Sequence, residues 1–138
     1  MNHNEAFEVL LDKGIIYQPP EDLIFDWVDA MLDGDRRKSF SLYDECVRRG
    51  EAPLKMLLVL YQSTKRLLQV QSCDGNIEQV TGLEKWEINK VRDKANKAYS
   101  NRELIDMLFL IEGVEKGIKI GEVDEEFSVQ YAMVNMLS

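Results

Sequence analysis

Covalent catalysis needs a nucleophile beside a base, and this chain has little from which to build one. Its one histidine, His3, sits at the start of the sequence, and its two cysteines, Cys46 and Cys73, lie far apart with no CxxC or Cys/His spacing. No Ser/His/Asp or Cys/His set can be assembled from these residues, and a tetrahedral zinc site lacks ligands. The two cysteines read as free thiols of a reducing compartment. Carboxylates are plentiful, with 25 Asp and Glu. They are spread over solvent-facing positions and paired with Lys or Arg at helical spacing, as Asp93 is with Lys97. No two are singled out to share a desolvated site. Gly113, Gly117 and Gly121 recur every fourth residue, but no strand precedes them, so they form no phosphate loop. That spacing instead predicts the close approach of a neighbouring helix. The chain is not expected to be an enzyme or to hold a cofactor or metal.

What remains is binding chemistry. The predicted helix over 84–98 carries Lys85, Lys90, Arg92, Lys94 and Lys97, the densest basic stretch of a chain whose formal charge is −8. With a short helix over Asn76 to Val80 and a turn at Gly82 before it, the outline is that of a helix-turn-helix. A recognition helix reads bases with residues near its N-terminus, where this one offers Glu84, Trp86 and Glu87. A solvated basic face or a phosphate-tracking contact therefore ranks above base reading. The overall charge opposes non-specific attraction to nucleic acid or anionic lipid. Trp27 falls on an apolar stripe and is expected in the core. Trp86 falls off its stripe, which leaves two readings: it folds back onto a neighbouring helix, or it anchors an interface.

The elements that must position these residues are helical throughout, because apolar residues recur at helical spacing and no alternating strand pattern is bounded by tight turns. Asn4 to Lys13 reads as a short helix closed by Gly14. A connector then leads to Pro19-Pro20, and a helix to about Leu32 carries Ile24, Trp27, Val28 and Met31 on one stripe. Asp35 is an expected N-cap for a helix with Phe40, Tyr43 and Val47 on one face. Pro53 opens the longest apolar run, to Cys73, whose apolar residues cover more than one stripe, as in a central helix. The helix from Glu84 to Ala98 has Ile88, Val91, Ala95 and Ala98 on its apolar face. Ser100 with Glu103 forms a capping box for a helix with Leu104, Met107, Leu108, Ile111, Val114 and Ile118 buried. Asp124 caps a last helix with Phe127, Tyr131 and Val134 in register.

Seven or eight helical segments result over 138 residues, a length that fits one domain. The expected fold class is all-α, a helical bundle of about six or seven helices over residues 21–138, preceded by an N-terminal helix and connector over residues 1–20. Apolar residues make up 45% and charged residues 30%, an ordinary globular balance. The most hydrophobic stretch, Leu54 to Val70, includes Lys55, Lys65 and Arg66, so no membrane span is expected. Met1 to Lys13 lacks the apolar core of a signal peptide, and a cytoplasmic location follows.

Two stretches resemble a known family. The first is Ile24-Phe25-Asp26-Trp27-Val28-Asp29-Ala30-Met31-Leu32-Asp33-Gly34-Asp35, followed by Gly50-Glu51-Ala52-Pro53-Leu54 and the run through Tyr61 and Arg66-Leu67-Leu68-Gln69-Val70. The second runs from Tyr99-Ser100-Asn101-Arg102-Glu103-Leu104 to Lys119-Ile120-Gly121 and ends with Asp124 to Leu137. Both are similar to the C-terminal (collar) region of bacterial DNA polymerase III clamp-loader delta subunits, and together they span about Leu23 to Leu137. Glu115 departs mildly from the pattern, standing where the family commonly has Asp. The resemblance implies a collar domain that associates side by side with other clamp-loader subunits, of the tau/gamma and delta-prime type. Primed DNA passes nearby, and the sliding clamp is bound by an N-terminal AAA+-like module that nothing here resembles. Residues before about Pro20 would be the tail of that module's lid. Trp86, Gly117, Lys119 and Gly121 are candidate interface residues, and Lys85, Lys90, Arg92, Lys94 and Lys97 candidate DNA or phosphate contacts. A helix-turn-helix DNA-binding protein using the basic helix is the alternative.

Overall fold

The computed structural model describes residues 20–73 and 82–137. The expected helices over Asn4 to Lys13 and Asn76 to Val80, the rest of the connector before Pro20, and His3 lie outside the described residues. Among the described residues, six helices and no strand are present: α1 (Pro20–Leu32), α2 (Arg36–Arg48), α3 (Pro53–Ser72), α4 (Lys85–Arg92), α5 (Asn101–Lys119) and α6 (Glu125–Met136). The fold is an all-α bundle.

Local chemistry sets most helix ends. Asp35 caps α2, its side chain accepting from the Lys38 N–H at 3.1 Å. Pro53 occupies the first turn of α3, where its missing N–H leaves no bond unmade. At the start of α5, Ser100 Oγ accepts from the Glu103 N–H at 3.2 Å, and Glu103 Oε1 accepts from the Ser100 N–H at 3.0 Å. Asp124 caps α6 by accepting from the Glu126 N–H at 3.0 Å. Helix α1 closes with a Schellman turn. Gly34 adopts φ +72°, its N–H donates to Met31 O, and the Asp35 N–H donates to Ala30 O.

Helix α3 is the rod around which the bundle closes. It packs against α1, α4, α5 and α6, while α1 and α2 form an antiparallel hairpin on one side. Met56, Leu57, Leu60, Leu67 and Val70 of α3 are buried, as are Leu104, Met107, Ile111 and Val114 of α5. Leu23, Ile24, Trp27, Val28 and Met31 complete the core from α1, with Trp27 fully enclosed. Thr64 is buried among them and satisfied by donating to Leu60 O at 2.7 Å.

Three expectations need correction. The basic helix stops at Arg92 rather than Ala98. Residues 93–97 continue as turns held by bonds from Lys94 to Val91 O and from Ala95 to Arg92 O, and Asn96 sits at φ +61°. Three-residue turns keep Val91, Ala95 and Tyr99 against the core without a regular helix, so the apolar spacing did not distinguish the two. In α2, Val47 points to solvent and Cys46 is buried in its place, beside Ser39 and Tyr43. In α6 the expected stripe is turned outward: Phe127, Tyr131 and Val134 are exposed, whereas Ser128, Val129, Ala132, Met133 and Met136 are buried. Small residues let α6 approach α3 and α5 closely, and close packing decides between two faces that are both apolar.

Candidate interaction surfaces

The first surface is a groove of about 290 Å³ between α1, α3 and α4. Phe25 and Trp86 stand at it, 51% and 64% exposed. Trp86 therefore does not fold back into the bundle. Its indole N–H donates to Glu84 Oε2 at 2.8 Å. Glu84 and Glu87 are both engaged at the α4 N-terminus, where their side chains and backbones form a capping box. The charges lining the groove are mixed, Arg66, Lys90 and Lys94 alternating with Asp29 and Glu87.

The five basic residues of this region do not act alike. Lys85, Lys90, Arg92 and Lys97 are exposed. Lys94 is only partly accessible and its ammonium is bound to Asp33 Oδ1 at 2.6 Å, tying α4's outgoing turn to the end of α1. The helical pair expected between Asp93 and Lys97 lies beyond the end of α4, in the turn. Tyr99 reinforces the tie: its hydroxyl donates to Met31 O at 3.0 Å, and burial pushes its pKa up, helped by the Glu103 and Asp33 carboxylates. Gln71 at the end of α3 does the rest. Its Nε2 donates to Tyr99 O at 3.2 Å and to Asn101 Oδ1 at 2.9 Å, while its Oε1 accepts from the Asn96 N–H at 2.8 Å. Nothing in the local sequence marks Gln71, because all three partners lie at least 25 residues away.

The second surface lies on α2, α5 and α6. Phe109, Tyr131 and Phe127 line one shallow depression between α5 and α6. Phe127 also lines a second, with Tyr43 and Val47 of α2 and Pro53 of α3. Of the candidate interface residues near this end, Lys119 and Gly121 are exposed and Gly117 is buried. A Cβ at Gly117 would run into Val123 Cγ2. The close approach read from the glycine spacing is thus real at one position, and what approaches is the chain's own turn. That turn is a second Schellman closure, with Gly121 at φ +79°, its N–H donating to Ile118 O, and the Glu122 N–H donating to Gly117 O. Gly113 has open space where its side chain would be.

Neither surface gathers reactive groups. Cys46 is buried, and desolvation, with the Glu51 and Glu45 carboxylates, pushes its thiol up to about 12. Among the described residues no cluster of three or more His, Cys, Asp or Glu could hold a metal. None of their helices is long and apolar enough to cross a membrane.

The helices that carry these surfaces are the ones a known family shares. The model of the DNA polymerase III delta subunit, C-terminal domain, matches residues 21–136, from the first turn of α1 to the end of α6. The chain belongs to this family. Among solved structures, the Bacillus subtilis DNA clamp loader delta protein (YqeN) has the same fold, with a TM-score of 0.74 at 16% identity. The match covers 91% of this chain and 38% of that one, so the chain spans well under half of that protein's length. None of the curated proteins matches it. The delta C-terminal family match takes in both surfaces, the groove at Trp86 and the aromatic face at Phe127. The caps and turns legible in the sequence lie within the matched residues.

Proposed function

We propose that this chain is the assembly (collar) domain of a delta-type clamp-loader subunit. It joins subunits of the tau/gamma and delta-prime type into the complex that loads the sliding clamp onto primed DNA in the cytoplasm. The observation that carries this reading is the family match across all six helices. The fold shared with a clamp loader delta protein supports it, as do two aromatic-bearing surfaces without a reactive centre between them. In this reading the domain catalyses nothing, and contact with the sliding clamp falls to an N-terminal module. Contact with primed DNA runs through the exposed Lys85, Lys90, Arg92 and Lys97, which track phosphates without reading bases.

The test is reconstitution. The full chain, mixed with purified tau/gamma-type and delta-prime-type subunits, should co-elute with at least one of them in gel filtration. Failure to co-elute with any removes the reading. Retention of a DNA duplex by a chain that co-elutes with no subunit, lost on Lys85→Ala, Lys90→Ala and Arg92→Ala together, would favour a DNA-binding protein instead.

A further inference from the structure

We propose that the aromatic face on α2, α5 and α6 is the docking surface for a partner protein that presents an amphipathic helix, its apolar ridge flanked by Lys and Arg. This rests on the assembly reading and adds which face is used and what chemistry it selects.

The geometry comes first. The two depressions on this side share Phe127, so they form one continuous surface. Phe109, Phe127, Tyr131 and Val47 stand on it between 55% and 68% exposed. Large apolar side chains grouped on one face, rather than scattered singly, mark interaction surfaces, and aromatic residues are enriched where partners dock. Phe127, Tyr131 and Val134 recur at i, i+4 and i+7 and form an outward ridge along α6. A ridge of this kind packs into the groove of a second helix. Val129, Ala132 and Met133 hold the ridge in place from the buried side of the same helix, so the surface is preformed.

Charge then selects the occupant. Asp44, Glu51 and Glu126 line one depression and Glu122 and Asp124 the other, while neither is lined by any Lys or Arg. The acidic field reaches the side chains beneath: Asp44 and Glu126 add to burial in raising the Tyr43 phenol above its ordinary pKa. A second copy of this chain would bring its own five carboxylates to the contact, on a molecule of formal charge −8. Nucleic acid would be repelled for the same reason. A helix with an apolar ridge and a basic rim satisfies both the exposed rings and the carboxylates, and like charges on other partners act against them. The groove at Trp86 carries both signs and makes no such selection.

The test uses the full chain and the purified tau/gamma-type and delta-prime-type subunits, with binding followed by surface plasmon resonance at several salt concentrations. Phe127→Ala with Tyr131→Ala should weaken binding about tenfold or more and leave the circular dichroism spectrum unchanged, since both rings are exposed. Asp44→Lys with Glu122→Lys should slow association and flatten its salt dependence, with a smaller effect on dissociation. If the native chain binds a subunit and neither variant weakens it, the face is wrong while the assembly reading stands. If the native chain binds none, the assembly reading fails and the proposal falls with it. If sedimentation shows the native chain to dimerise, and the double alanine variant abolishes this, the occupant is a second copy and the proposal is overturned.

Discussion

The α4 edge and the α5–α6 face are held by different forces. At the edge, α4 buries one large side chain, Ile88. Val91, Ala95 and Tyr99 pack against the core only partly buried, and polar ties supplement them: Lys94 to Asp33, Tyr99 to Met31 O, and the three bonds of Gln71. On the other side, α5 and α6 bury Leu104, Met107, Ile111, Val114, Val129, Met133 and Met136, and their turn is locked where Val123 packs on Gly117. Apolar burial scales with area and acts on the whole bundle, whereas each polar tie adds a modest net amount and acts locally. The groove at Trp86 therefore sits on an edge held largely by polar ties, and the aromatic face sits on the core itself.

Two glycines of α5 test the rigid side most severely. Gly117→Val forces Val123 and its turn to move and is expected to cost about 1–3 kcal/mol, the range of overpacked cores. Gly113→Ala, where a Cβ meets nothing within 4 Å, should instead gain up to about 1 kcal/mol from helix propensity. Urea denaturation measures both. Equal effects at the two sites would show that Val123 does not lock the α5–α6 turn.

The two thiols contrast a buried position on α2 with a partly accessible one at the end of α3. Cys46 has a folded pKa of about 12, above its ordinary value of 9.0. Its neutral form is therefore favoured by folding, and that stability is complete below pH 9 and lost as pH rises toward 12. Tyr99, also raised by burial, adds to the loss above pH 10. Urea midpoints should fall from about pH 9 upward, less steeply in Cys46→Ala. At neutral pH, alkylation of the native chain should modify Cys73 and spare Cys46 until the bundle unfolds.

A modest, local loss is expected at the edge. Gln71→Ala removes three hydrogen bonds from the turn after α4 and should cost about 1–2 kcal/mol. Hydrogen exchange would localise it: the Asn96 amide speeds up while α5 amides keep their protection. Faster exchange throughout α5 would show that the edge and the core unfold together.

Features that depend on a few neighbouring residues were legible in advance. Asp35, Ser100 with Glu103 and Asp124 act as read, Pro53 opens α3, and Gly34 and Gly121 close their helices, because a cap satisfies backbone groups within one turn of itself. The central place of α3 was legible from its excess of apolar faces. The end of α4 was not, since three-residue turns mimic the spacing that a longer helix would show. The role of Lys94 was hidden for another reason: its partner lies 61 residues away.

Most of the caps and turns that start and close the six described helices, and the family resemblance, are written in residues close along the chain. Only the tertiary structure decided which face of α6 turns inward, that Gly117 receives Val123, and that Phe109, Phe127 and Val47 come together amid carboxylates. A helix with two apolar faces is ambiguous until its neighbours choose one, and that choice is made by packing between segments remote in sequence.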